Sequence, residues 1–355
     1  MTEGINPLDA IHDKKFEPAI QGLRGIAALS VLFVHLYDMP MTAGFLPAVP
    51  AWFDFTILTG GRGVELFFII SGYLIPASLV RHRLISKFFY ERCMRILPVF
   101  VVFHLVIFVA GPIVGYKFFK GIDPLSYVGL FLTNLLFLPD ILRVPTAQQN
   151  AWTLTYEWLF YFWFAATFYF VAVRRTWLVV AVLAAVGLFA IAAFPISAYF
   201  LVGIAIRYFD TRLELPGIRG AVAGLACLFL MYVSLEYINP FLGLIPGFLL
   251  FAMVRAPASG IVAPLDRPII QYIGKISYSL YLAHPFALFP LQMAGAKLAS
   301  KGYPLWWIWL AFVFFGLIAS LVMSSITYEL VEVRLRRLLE NGVRYRRRNV
   351  AGSEA

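Results

Sequence analysis

The chain has 355 residues, 61% of them hydrophobic and only 14% charged, with a mean hydropathy of +0.81. A soluble domain carries roughly 25% charged residues, so this composition excludes a water-soluble fold, which would leave too much apolar surface in water. The net charge of +10 sits in short loops and a tail, a distribution that belongs to membrane topology and not to nucleic-acid binding.

The polar stretch Met1–Glu17 carries no cleavable leader pattern, and residues 1–17 are expected as a cytoplasmic segment. Residues 18–334 then form one transmembrane domain and 335–355 a basic cytoplasmic tail. Apolar runs predict spans at Ala19–Tyr37, Gly63–Val80, Ile96–Val114, Trp152–Val173 and Trp177–Phe194. Further runs follow at Ser197–Phe209, Ile218–Leu235, Pro240–Val254, Ile269–Met293 and Leu305–Leu330. These are long and continuous, unlike the alternating segments of a β-barrel. The predicted fold is therefore all-α, a polytopic transmembrane helix bundle of about ten spans.

Leu125–Leu142 is also apolar. Counting it as a crossing would put Arg174 and Arg175 outside and invert everything after them. The positive-inside rule instead makes it a re-entrant or surface helix, with both termini cytoplasmic. The tail arginines Arg334, Arg336, Arg337, Arg344, Arg346, Arg347 and Arg348 then form an inner-leaflet anchor. No inverted repeat of the transporter kind is visible. Cys93 and Cys227 are not expected to pair, since one lies in a basic loop and the other in an apolar run.

Ionisable groups inside spans are costly unless a cavity or partner holds them, so each is a functional candidate. Arg24 and His35 are eleven residues apart in the first span, close to three helical turns, hence on one face about 16 Å apart. Each has a bland alternative: Arg24 snorkelling to headgroups, His35 satisfied in a helix–helix hydrogen bond. Glu65 is expected near the depth of His35 on the adjacent span, either orienting the imidazole or pairing with Arg62. Ser71 and Gly72 fit close helix packing better than a nucleophile.

Glu157, flanked by Trp152, Tyr156 and Trp158, is expected in the same outer layer. There, aromatic faces and a carboxylate would suit a sugar, or the aromatic residues would simply form an interfacial belt. After Lys87, Arg92 and Arg95 stand at i, i+3 on one helix face. Paired guanidiniums there would suit phosphate, although arginines are also ordinary in inner loops. Ser277-Tyr278-Ser279-Leu280-Tyr281-Leu282-Ala283-His284 lines up hydroxyls and a histidine, as a site or as a polar seam. The five histidines, His12, His35, His82, His104 and His284, show no metal-ligand spacing, so no metal is expected.

Taken in order, these pieces resemble the acyltransferase 3 family of integral membrane O-acyltransferases. The matching motifs are Leu23-Arg24-Gly25 followed by His35, Gly63-Val64-Glu65-Leu66-Phe67-Phe68 leading to Ser71-Gly72-Tyr73, and Arg92 and Arg95 before Pro98. Trp152-Thr153-Leu154-Thr155-Tyr156-Glu157 and Ser277–Leu282 before His284 complete them. Thr153 and Thr155 replace serines common in the family. The resemblance implies an acyl group, most often acetyl, moved from cytoplasmic acyl-CoA to a hydroxyl of an extracytoplasmic or lipid-linked carbohydrate such as exopolysaccharide. Arg24 and His35 match its essential pair; beside the resemblance, the residues themselves make Glu65 or Glu157 the catalytic carboxylate that orients the histidine. Lys87, Arg92, Arg95 and Arg24 would hold acetyl-CoA, and Trp152, Tyr156, Glu157, Tyr281 and His284 the acceptor. No hydrolase-like domain is read after the membrane unit, so this chain or a separate partner would complete transfer. A bacterial inner membrane is the expected location, in contact with lipid and compatible with a homo-oligomer. The alternative is a glycan or lipid transporter whose path the same buried charges line.

Overall fold

The computed structural model describes residues 17–82 and 84–343, and its regular elements are all helical. Residues 1–16 and Arg344, Arg346, Arg347 and Arg348 of the expected tail lie outside the described residues. Helix α1 (Pro18–Thr42) opens on a proline, whose missing N–H is harmless in a first turn. Helix α2 (Ala51–Thr59) runs through a tight turn at Gly60–Arg62 into α3 (Gly63–His82). Helix α4 (Ile85–Ile113) follows. Then come α5 (Pro124–Leu135) and the short α6 (Pro139–Leu142). The remaining helices are α7 (Trp152–Phe168), α8 (Trp177–Ala193), α9 (Ala198–Phe209), α10 (Gly217–Val233), α11 (Leu244–Val254), α12 (Val262–Leu265), α13 (Pro268–Ser300) and α14 (Leu305–Thr327).

Six helical stretches are long and apolar enough to cross a bilayer: Pro18–Thr42, Ala51–Arg81, Ile85–Ile113, Gln149–Arg174, Gly217–Ile238 and Leu305–Val343. Trp177–Ala193, Pro195–Phe209 and Leu244–Val254 are apolar but shorter. Helix α8 buries none of its residues, and Leu178 and Phe189 are 78% and 74% exposed. An apolar face of that extent needs lipid against it. The chain is an integral membrane protein.

One departure from the sequence reading matters for the site. The basic loop expected around Cys93, Arg81–Arg95, is from Ile85 onward the opening turns of α4, which carries Arg92 into the bundle, where it is only 9% exposed. Leu125–Leu142 breaks at Phe137, whose φ is 58°. The 12-residue α5 is about 18 Å long, short of an about 30 Å hydrocarbon core, so this stretch is not one crossing. Asp123 caps α5, accepting from the N–H groups of Leu125 (3.0 Å) and Ser126 (3.1 Å).

Small residues set the two closest helix crossings, as membrane bundles require. Helices α1 and α13 approach until a Cβ on Gly274 would stand 2.0 Å from the Gln21 carbonyl oxygen. Helix α3 meets α9 through Gly72, where a Cβ would reach 2.0 Å from the Phe200 oxygen. Gly72 thus serves packing, as its neighbours in sequence predict. Helix α1 is the common wall: it packs on α3, α13 and α14, so both ends of its polar face open onto space enclosed by other helices.

Candidate active site

Two cavities lie along α1. The first, about 70 Å³, is walled by Arg24 from α1, Ser71 from α3, Arg92 and Arg95 from α4, Glu157 from α7 and Tyr278 and Tyr281 from α13. Arg92 donates from Nη2 to Ser78 Oγ at 3.2 Å and lies over the Phe88 ring, yet its buried Nε has no hydrogen-bond partner among the described residues. Glu157 accepts from Ser71 Oγ at 3.1 Å and from the Tyr161 hydroxyl. A second carboxylate, Glu332, accepts from Ser279 Oγ at 2.7 Å and lies within electrostatic reach of Arg24 and Arg95. Three guanidiniums against two carboxylates leave a net positive cavity with an unanswered N–H, and burial penalises such a donor until an acceptor arrives.

The second cavity, about 600 Å³, is lined by His35 and Asp38 of α1, by apolar residues of α4 such as Val106 and Ile107, by Gln148, and by Phe286 and Phe289 of α13. His35 Nδ1 lies 2.8 Å from His284 Nε2, and His284 Nδ1 lies 2.7 Å from the Leu280 carbonyl oxygen. These contacts fix the tautomers. A carbonyl only accepts, so His284 Nδ1 carries a hydrogen and its Nε2 accepts from His35 Nδ1. His35 Nε2 is left with a free lone pair. Asn150 also donates toward His284 Nε2 (3.4 Å) and makes a stronger bond to the Tyr281 carbonyl oxygen (2.8 Å). That carbonyl is available because Pro285, four residues on, has no N–H to give it.

Several expected contacts are corrected. The partner of His35 is His284, not Glu65 or Glu157. Glu65, 1% exposed, faces Arg62 at 3.5 Å, and Arg62 in turn holds Glu236 at 2.6 Å. Glu157 does not share the His35 layer. Asn150, just before α7, is already level with His284, so a residue seven positions later stands about two turns away, among the arginines. Trp152 and Tyr156 line neither cavity; they pack edge to face on each other at 5.6 Å, with Tyr156 against Phe194. Tyr281 lines the arginine cavity, and Lys87 stands exposed outside it. No cluster of metal-ligating side chains occurs among the described residues.

Residues that the sequence reading passed over are Asn150, Asp38, Gln148 and Glu332. Asn150 had a signal: a proline directly after His284 predicts an orphan carbonyl at Tyr281, and an amide at membrane depth is the natural donor for it.

The sequence from residue 17 to residue 325 matches an acyltransferase domain, that of the acyltransferase 3 family. The chain belongs to that family. Among its relatives, the exopolysaccharide production protein ExoZ of Rhizobium meliloti is 29% identical over 314 residues, spanning 81% of this chain and 92% of ExoZ. The peptidoglycan O-acetyltransferase OatA of Listeria monocytogenes is 23% identical over 92% of this chain, which spans only 57% of OatA. The acyltransferase MdmB of Streptomyces mycarofaciens is 25% identical over 75% of this chain and 78% of its own length. No solved structure matches.

Proposed function

We propose that the protein is a bacterial inner-membrane O-acyltransferase that takes an acetyl group from cytoplasmic acetyl-CoA and places it on a hydroxyl of an extracytoplasmic or lipid-linked carbohydrate. In this reading the bundle has about ten spans with both termini cytoplasmic, so the arginine cavity faces inward and the histidine cavity outward. The observation that carries it is the 2.8 Å contact of His35 Nδ1 with His284 Nε2, which leaves the other ring nitrogen of His35, a residue on the wall of the larger cavity, outside that pair.

Arg24, Arg92 and Arg95 draw in the anionic donor. A cavity of about 70 Å³ admits only its slender arm, so the nucleotide stays at the mouth on the Lys87 side. The thioester passes Tyr281 to reach His35. The acceptor oxygen attacks the thioester carbonyl, and its proton moves to His35 Nε2. The carbon–sulfur bond breaks, the new ester bond remains, and the proton passes from His35 to the departing thiolate. His284 accepts from Nδ1 throughout and stabilises the transient imidazolium, while Glu65 and Glu157 act at a distance, through Arg62 and through the arginine cluster. The relatives named for exopolysaccharide and peptidoglycan support a carbohydrate acceptor.

The test uses purified protein in nanodiscs with labelled acetyl-CoA. Wild type binds and turns over the donor, whereas His35→Ala retains donor binding and loses transfer by about 10²–10⁴-fold, the usual contribution of a general base. Near-normal transfer by His35→Ala removes the assignment. A protein that neither binds nor hydrolyses the donor points instead to transport of a glycan or lipid.

A further inference from the structure

Gln148 has no part in the chemistry just described, yet its setting is costly. It is 3% exposed, and neither its side-chain oxygen nor its nitrogen has a hydrogen-bond partner among the described residues. Buried amides are almost always paired, and this one stays unpaired although the backbone on both sides of it is firmly held. Ala147 N–H donates to Asn134 Oδ1 at 2.8 Å, and Tyr116 donates to the Ala147 carbonyl at 3.3 Å. On the other side, Ala151 N–H donates to the Gln148 carbonyl at 2.8 Å, and Asn150 is tied to Tyr281. Helix α5, which supplies Asn134, therefore acts as a bracket for this loop.

Gln148 lines the same cavity as His35 and Asp38, opposite apolar surface from α4 and α13, and its amide is covered by the residue's own surroundings. The volume of about 600 Å³ falls within the range of small-molecule sites, about 300–1,000 Å³. A primary amide offers one carbonyl acceptor and one NH₂ donor side by side. Two adjacent hydroxyls on a sugar ring present the complementary pair, one donating and one accepting.

Resting on the acyl-transfer reading, we propose that Gln148 is the residue that reads the acceptor, its side chain turning into the cavity to grip a vicinal diol beside the hydroxyl that His35 deprotonates and so selecting which position is acylated. The apolar wall takes the hydrophobic aglycone or anchor that carries the sugar. A site built to hydrogen-bond a hydroxyl rejects the analogue that lacks it, because its own polar atoms are then left unpaired.

The probes are hexyl glucoside, galactoside and mannoside and their single-deoxy analogues, presented with labelled acetyl-CoA to the full chain in nanodiscs. Wild type transfers to at least one glycoside and discriminates against the analogue lacking one of two neighbouring hydroxyls. Gln148→Met, similar in length but unable to pair, raises KM for the preferred glycoside by about tenfold to a hundredfold, the loss of two neutral hydrogen bonds. Its discrimination collapses to within about twofold, while donor hydrolysis without acceptor is unchanged. The melting temperature of Gln148→Met is equal to or above wild type, since an unpaired buried amide has been replaced by an apolar chain. A merely structural Gln148 would lower it.

Unchanged KM and discrimination in Gln148→Met overturn the proposal while leaving the role of His35 intact. The same holds if wild type hydrolyses the donor yet transfers to none of the glycosides. Transfer that survives in His35→Ala instead overturns the underlying acyl-transfer reading.

Discussion

The two cavities on α1 are opposites. One is about 70 Å³ and walled by three guanidiniums; the other is about 600 Å³, mostly apolar, with His35, Asp38 and Gln148 among its lining residues. Size and charge divide the labour. In a tight, poorly hydrated space a fixed cluster of like charge is strongly selective for an anion. A roomier apolar chamber can accept a bulky partner and let a few polar groups decide its orientation. Helix α1 belongs to both, with Arg24 at one end and His35 three turns away, so a single rigid element sets the separation between the donor grip and the proton acceptor of the proposed reaction.

That division can be broken one side at a time. The largest effect is expected from Arg92→Ala, which removes a buried guanidinium together with its unpartnered Nε. Loss of charge-assisted bonds worth about 1.5–3 kcal/mol should raise the Kd for acetyl-CoA by about tenfold to a hundredfold, with acceptor KM unaltered; a change in acceptor KM alone would merge the two sites. Asn150→Ala acts on the other side, through the Tyr281 carbonyl and His284. It should lower kcat about tenfold and leave donor Kd at the wild-type value, whereas a parallel loss of donor binding would make Asn150 part of the arginine wall. Smallest of all is Lys87→Ala. An exposed charge is screened at physiological salt, so donor Kd should move by less than about twofold in equilibrium binding, and a larger shift would extend the donor grip out to the start of α4.

Much of this was legible in the sequence, and the remainder was hidden for identifiable reasons. Apolar length gave the helices, and their starts at Pro18, Trp152, Trp177 and Leu305 fall within a residue of the apolar runs. Helical spacing correctly set Arg92 and Arg95 on one face, and both line the same cavity. Depth was harder. Positive charge suggested a surface loop before Ile96, because the topology rule counts arginines without asking whether a carboxylate awaits them inside. Glu157 was expected beside His35 for a similar reason: its position along α7 could be read, but the level at which α7 begins could not. That level is set by Asn150 bonding a carbonyl 131 positions away. The histidine pair spans 249 positions, and no local pattern encodes such a contact. Of the expected acceptor residues, Trp152 and Tyr156 went to packing, because aromatic rings near an interface satisfy both readings from sequence alone.

The missing N–H of Pro285 has a consequence for how the protein matures. The carbonyl it leaves open is the socket for Asn150, and Asn150 together with His284 sets the hydrogen on His35. In the proposed reaction, the first helix, the loop before α7 and α13 must therefore all be seated before His35 can take the acceptor's proton. On the same proposal, a chain still being threaded into the bilayer would display its arginines and attract a thioester but could not use it. Chemical competence is in this sense the last product of assembly, and an interrupted helix is what ties the two together.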